Sequence, residues 1–271
     1  MISNLWKPDD ISWSAFEPDK VDGELLKIIK AASMVEYNGA DYATYLCNVF
    51  ADDEAFMAAA KAWSVEEVQH GEVLARWAKM ADPSFDFEAA FKSFTDGYQI
   101  PLEASASVRG SRSGELVARC IVEVGTSSYY SALGEATDEP VLKEICQRIA
   151  ADEMRHYKLF YDYLRGYLER ENIGRWRRVM VALGRIGESE DDELAYAYYA
   201  ANADGEAYER KRWSRAYMSR AYGYYRPKHV RRAVSMTFKA AGLNPQGRLS
   251  RWVADLGYRF MKFRAAKAVA A

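Results

Sequence analysis

The chain has 271 residues, 49% hydrophobic and 28% charged, enough for one large domain or one domain with an appendage. No run of about 18 apolar residues occurs, and the opening "MISNLWKPDDISW" lacks a basic stretch followed by an apolar core, so neither a spanning helix nor a secretory leader is expected and the default location is cytoplasmic. The formal net charge of -2 conceals two unlike parts: residues 1–209 carry 21 Lys/Arg against 38 Asp/Glu, and residues 210–271 carry 16 Lys/Arg against one acid, Asp255.

Helical periodicity dominates and strand alternation is scarce, which predicts an all-α chain. A first helix is expected from Gly23 to Phe50, and "ADDE" at 51–54 gives an acidic start to a second ending near Met80. A long connection follows, holding Pro83, Gly97, Pro101 and Gly110, with a helical turn around "FEAAFKSF". A third helix is expected over Ser113–Gly134. "TDEPVLKEI" opens a fourth, with Thr137 or Asp138 as cap and Pro140 in the first turn, running to about Glu171. Two helical hairpins joined by a crossover match a four-helix bundle over 20–172 with one long connection. Residues 173–271 form a basic helical extension on or beside it, with helices read in "ESEDDELAYAYYAA", "YERKRWSRAYMSRAYGYY", "KHVRRAVSMTFKAAG" and "RLSRWVADLGYRFMKFRAAKA".

The bundle helices carry polar residues where their apolar stripes should continue. The second stripe reads Phe56, Ala60, Trp63, Glu67, His70, Leu74, Trp77, and the fourth reads Leu142, Ile145, Ile149, Glu153, His156, Phe160, Tyr163, Tyr167. The first carries Ile29, Ala32, Glu36, Ala40, Ala43, and the third Leu116, Cys120, Glu123, Ser127, Tyr130. Four carboxylates in one core are prohibitive unless cations neutralise them. Two divalent metals would do so, with Glu36, Glu67, His70, Glu123, Glu153 and His156 as ligands; a mixed oxygen and nitrogen set suits iron or manganese. Residues three apart share a helix face, so each Glu-x-x-His can serve one centre. Separations of 31 residues from Glu36 to Glu67 and 30 from Glu123 to Glu153 place both hairpins' ligands at comparable depth. Two of the three histidines take part; the third, His229, lies in "YRPKHVRR" without a partnering glutamate and is expected on the surface.

"WSVEEVQHGEVLARW", "VEVGTSSYY" and "IAADEMRHYKLFYDYL" resemble the ferritin-like di-iron carboxylate proteins, and within them the soluble acyl-carrier-protein desaturases, over about residues 20–170. The resemblance implies a ferritin-like four-helix bundle with one long crossover plus additional C-terminal helices. It implies two iron ions, one replaceable by manganese, with Glu67 and Glu153 bridging, Glu36 and Glu123 terminal, and one nitrogen each from His70 and His156. Glu66 and Asp152 would then bond the far nitrogen of a ligating histidine and fix its tautomer. Thr126, one turn after Glu123, matches a threonine beside the oxygen-binding face; its hydroxyl either delivers a proton there or bonds its own backbone.

The chemistry expected is O2-dependent desaturation or hydroxylation of an acyl or other hydrophobic substrate. Alternatives are a ferroxidase or other iron-handling protein, a di-iron RNA hydroxylase, and a metal-bound scaffold without turnover. Cys47, Cys120 and Cys146 form no Cys-x-x-Cys, so they read as reduced thiols, and electrons would come from an external ferredoxin or reductase. The basic C-terminal region either lies across the acidic body or docks an acidic acyl carrier protein. DNA is not an expected partner, and the family implies a homodimer. In the last segment Leu249, Trp252, Val253, Leu256, Phe260 and Phe263 form an apolar flank among basic residues, which suits a clasp helix closing the bundle or a membrane-surface helix. The many Trp and Tyr residues at helical spacing, Trp63, Tyr129 and Tyr130 among them, read as packing.

Overall fold

Helices start where a side-chain oxygen can satisfy the free amides of a first turn. In the computed structural model, which describes residues 5–188, 192–203 and 205–269, Asp22 caps α1 (Gly23–Tyr37), which is followed by α2 (Gly39–Val49). Asp53 caps α3 (Glu54–Ala81), Asp86 caps α4 (Phe87–Gly97) and Ser111 caps α5 (Arg112–Ala136). Glu139 opens α6 (Pro140–Glu171), accepting from the Val141 and Leu142 amides. Glu139 thus takes the cap expected of Thr137 or Asp138, because its longer carboxylate also reaches Trp77 Nε1, 2.6 Å away in the core. Thr137 instead accepts from the Glu139 amide. The helical turn expected at "FEAAFKSF" is a full helix, α4.

The first helix, expected to be continuous to Phe50, breaks at Asn38. A Cβ added at Gly39 would stand 2.5 Å from Glu67 Cβ, and one at Gly71 would stand 2.5 Å from the Tyr37 amide nitrogen. The break is therefore where α1 and α2 come closest to α3, and glycine on each side permits it. It also moves one position of the buried face: Ala40, expected inside, is exposed and Gly39 takes its place, while Ala43 is buried as expected, with Leu46 after it. Gly71→Ala should lower stability by about 1–3 kcal/mol, because the clash is with backbone that cannot rotate away. Gly166→Ala on α6, with nothing within 4 Å of the added carbon, should be neutral or slightly stabilising. Thermal melts of the two variants test the contrast.

The core falls into two apolar clusters. One gathers Ile28 and Ile29 of α1, Leu74 and Trp77 of α3, Leu133 of α5 and Leu142 and Ile145 of α6. The other gathers Leu46 of α2, Phe56 and Trp63 of α3, Leu116 and Cys120 of α5 and Phe160 and Leu164 of α6. Read along the chain, α3 and α5 both pass from the second cluster to the first, and α1 with α2 and α6 pass the other way. Helices α3 and α5 are therefore parallel, and the connection carrying α4 has to return the length of the bundle. Between the clusters every helix has its ionisable residues.

Beyond α6, α7 (Arg175–Glu188) packs on α5, and α8 (Asp192–Asn202) packs on α1 and α4. Helix α9 (Arg210–Tyr224) packs on α8, α10 (Pro227–Ala240) on α5, and α11 (Arg248–Val269) on α9 and α10. Residues 189–191, part of the acidic run before α8, lie outside the described residues. Sequence reading missed α7. Its signal was present in Trp176, Met180, Leu183 and Ile186 at helical spacing.

Parts of the basic tail do lie on the acidic body: Lys228 pairs with Glu135 at 2.6 Å, Arg220 pairs with Glu24, and Arg232 donates to Ser127 O at 2.8 Å. His229, expected on the surface, is buried, accepting from the Arg226 amide at 3.1 Å and standing 3.2 Å from Glu135. Its partner is an acid of α5, distant in sequence. The apolar flank of α11, expected to close the bundle, is largely exposed at Leu249, Trp252, Leu256, Phe260 and Phe263, and only Val253 reaches the interior. The helix packs instead through Ser250, Ala254 and Gly257, small residues that let it lie close to its neighbours. Among the described residues no helix is long and apolar enough to cross a membrane.

Candidate metal centre

In the polar band Glu36, Glu67, His70 and Glu153 bring ligand atoms within 4.8 Å of one another, and so do Glu67, Glu123, Glu153 and His156. All six residues are buried, and Glu67 and Glu153 belong to both groups. The spacing within α3 and α6 explains this: Glu and His three apart leave one helix face together, and the antiparallel neighbours bring Glu36 and Glu123 to the same depth.

The two imidazoles are oriented alike. His70 Nδ1 points at Glu153 (3.3 Å) and Glu36 (3.8 Å), and His156 Nδ1 points at Glu67 (2.9 Å) and Glu123 (3.6 Å). Each Nε2 faces the other way, His70 toward Asp152 at 3.2 Å and His156 toward Glu66 at 3.1 Å. The pairing is crosswise: the acid beside Glu153 serves the histidine of α3, and the acid beside Glu67 serves that of α6. Arg155 joins the two acids, donating to Glu66 at 2.7 Å and to Asp152. Trp6, from the segment before α1, donates its indole N–H to Asp152 at 2.6 Å. Contacts with His70 and His156 hold Asp152 and Glu66 below the usual carboxylate range despite burial. As anions they accept from Nε2–H, so Nδ1, toward the cluster, is the nitrogen that would offer its lone pair once a metal displaces its proton.

The inward atoms lack such partners. Both oxygens of Glu123, Oε1 of Glu67 and of Glu153, and Nδ1 of both histidines are buried without a hydrogen bond. Burial, then the charges of Glu153 and Glu36, pushes the Glu67 carboxyl well above its ordinary value, and burial pushes Glu123 up to about 8. Burial opposes charge on both imidazoles, but their carboxylate contacts outweigh it and hold both well above the ordinary value. Orphaned oxygens and nitrogens converging on two points are what metal cations satisfy, and the residues present could hold them.

Two further groups bear on the cluster. Thr126 places its hydroxyl 2.8 Å from Glu153 Oε2, and also 3.0 Å from its own helix's Glu123 O. Tyr130, which the sequence offered only as packing, donates to Glu36 Oε1 at 2.6 Å. Neither Tyr130 nor Trp6 carries a sequence signal for these contacts, since each partner lies more than ninety positions away.

A cavity of about 450 Å³ opens onto the cluster at Glu36, Glu67, Glu123, Glu153 and Thr126. Its other walls come from the bundle, through Val35, Trp63 and Ile121, and from the C-terminal helices, through Ala182 of α7, Leu194 of α8, Met218 of α9, Phe238 of α10 and Val253 of α11. The last hundred residues therefore complete an apolar chamber over the polar band. A chamber so lined is suited to a hydrophobic molecule.

The family model described as fatty acid desaturase matches residues 40–183. That span starts in α2, contains Glu67, His70, Glu123, Glu153 and His156, and ends in α7; Glu36 precedes it. No curated protein matches the chain.

Proposed function

Because the chain belongs to the fatty acid desaturase family, we propose that it is a non-haem di-iron oxidoreductase that desaturates or hydroxylates an acyl chain lodged in the cavity. The observation that carries this reading is the joining of two buried carboxylate and imidazole groups to an apolar chamber of about 450 Å³. Two irons, bound by the six residues with Glu67 and Glu153 shared, would supply dioxygen activation at an unactivated C–H bond. Overall, a desaturation takes two hydrogens from adjacent carbons and, with O2, two electrons and two protons from outside, yields an alkene and two waters. An external ferredoxin or reductase would give the electrons. The protein's own part is positional. Asp152 and Glu66 hold the imidazoles, Tyr130 holds Glu36, and Thr126 keeps a hydroxyl proton beside Glu153 on the cavity side. The apolar lining favours an organic substrate over ferrous ion as the species turned over.

Oxygen uptake by the iron-loaded protein with a chemical reductant tests this. Acyl compounds should raise the rate and return products lighter by two hydrogens or heavier by one oxygen. Uptake that follows only added ferrous ion, with acyl compounds inert, would instead make the protein a ferroxidase.

A further inference from the structure

The cavity wall also carries two arginines. Arg119 of α5, one turn before Glu123, and Arg185 of α7 both line it. Arg119 is 8% exposed; its guanidinium lies over the Tyr42 ring at 5.2 Å, and its Nε is buried without a hydrogen bond. Among the described residues no carboxylate makes an ion pair with either arginine. Nearby Arg109 takes both oxygens of Glu188, so that acid is already engaged. The remaining wall acid outside the metal cluster, Glu193, accepts from the Tyr42 hydroxyl. Burial, then the charge of Glu36, pushes its carboxyl up to about 8. Burial, then the charges of Arg119 and Arg109, lowers Arg185 to about 10, only partly offset by the Glu188 carboxylate that Arg109 already holds.

We propose that the cavity receives its substrate as a free carboxylic acid, with the guanidinium groups of Arg119 and Arg185 holding the carboxylate and the hydrocarbon chain running toward the metal cluster. A guanidinium buried without an ion-pair partner, as Arg119 is, is costly until an oxyanion arrives, and Arg185 on the same wall can share that anion. The planar fork of arginine fits a carboxylate through paired N–H···O bonds. Every other charged group lining the cavity is a cluster carboxylate or an acid already engaged, Glu188 by Arg109 and Glu193 by the Tyr42 hydroxyl. The missing countercharge thus has to come with the ligand, and the rest of the lining suits an alkyl chain. This assignment rests on the acyl-chain reading above and adds that the acid needs no carrier to be held. It also fixes the reacting carbon by its distance from the carboxyl group, so acids of different length should react at the same position counted from that end.

Isothermal titration of the full chain with C12 to C16 fatty acids and their methyl esters tests the proposal. The acid should bind about 10- to 100-fold more tightly than its ester. Arg119→Gln and Arg185→Gln should each remove most of that preference while leaving ester affinity unchanged, and Arg119→Lys should retain part of it. Should Arg119→Gln fail to fold, Arg185→Gln on the half-exposed α7 still decides the matter. Equal binding of acid and ester, no binding of either, or a preference that survives Arg185→Gln would each overturn the assignment. So would an arginine-dependent grip on acyl-phosphopantetheine that the free acid does not share, since the anion would then be phosphate. Metal content of the same samples separates this from the function proposed above: an acid preference without bound iron would leave the anion site standing and remove the di-iron reading, and iron without an acid preference would do the reverse.

Discussion

Glu153→Gln and Glu67→Gln should each take bound iron from about two ions per chain to near zero, whereas Glu123→Gln and Glu36→Gln should each leave about one. Glu67 and Glu153 offer ligand atoms to both groups, while Glu36 with His70 and Glu123 with His156 serve one group apiece. The shared pair thus couples the two sites, and a terminal substitution spares the opposite one. Elemental analysis after aerobic loading reads the stoichiometry, and a graded loss that ignores this division would refute the shared-ligand geometry. Stability should move the other way in metal-free protein. Burial and its carboxylate neighbours push the Glu67 carboxyl well above its ordinary value, so replacing it with a neutral isostere relieves the folded state. An increase of about 1–3 kcal/mol is expected for metal-free Glu67→Gln. Wild type should regain the lead once metal is added, because binding to the folded chain alone stabilises it by mass action.

The helical periods were readable because burial on a helix repeats every three or four residues, and the same count exposed Glu36, Glu67, Glu123 and Glu153 as polar residues on apolar stripes. What escaped was set by distant partners. The break at Asn38 answers to the approach of α3 at Glu67 and Gly71. No local pattern in "MVEYNGADY" announces it beyond a glycine, which helices tolerate at modest cost. His229 looked like a surface residue because its acid, Glu135, lies on α5, far back in the chain. The C-terminal helices showed weak apolar patterning because several turn part of that face toward the cavity and, in α7 and α11, leave large apolar residues exposed. Adjacency suggested that Glu66 and Asp152 bond a histidine's far nitrogen, but which histidine each serves is decided by how α3 and α6 face each other.

That crosswise arrangement makes the second large effect specific. Asp152→Asn should weaken metal binding about 10- to 100-fold, and the loss should fall on the group containing His70, although Asp152 sits beside Glu153 and one turn from His156. Asp152 Oδ2 accepts from both Trp6 Nε1 at 2.6 Å and His70 Nε2 at 3.2 Å, and its other oxygen accepts from Arg155. Each oxygen meets a donor. An asparagine amide would therefore turn its NH2 toward a donor whichever way it flips: one orientation takes the acceptor from His70, and the other sets the NH2 against Arg155 and leaves His70 only a neutral, weaker acceptor. Glu66→Gln should act on His156 in the same sense but more weakly, because both donors, His156 at 3.1 Å and Arg155 at 2.7 Å, meet Glu66 Oε2, and a glutamine carbonyl can keep both while losing the charge. Double-mutant cycles on metal affinity check the assignment. Asp152→Asn should be strongly non-additive with His70→Ala and close to additive with His156→Ala, and Glu66→Gln should show the reverse. If each acid instead couples to the histidine on its own helix, the crosswise pairing is wrong. If neither couples to either histidine, the acids only anchor Arg155 on the surface of α3 and α6.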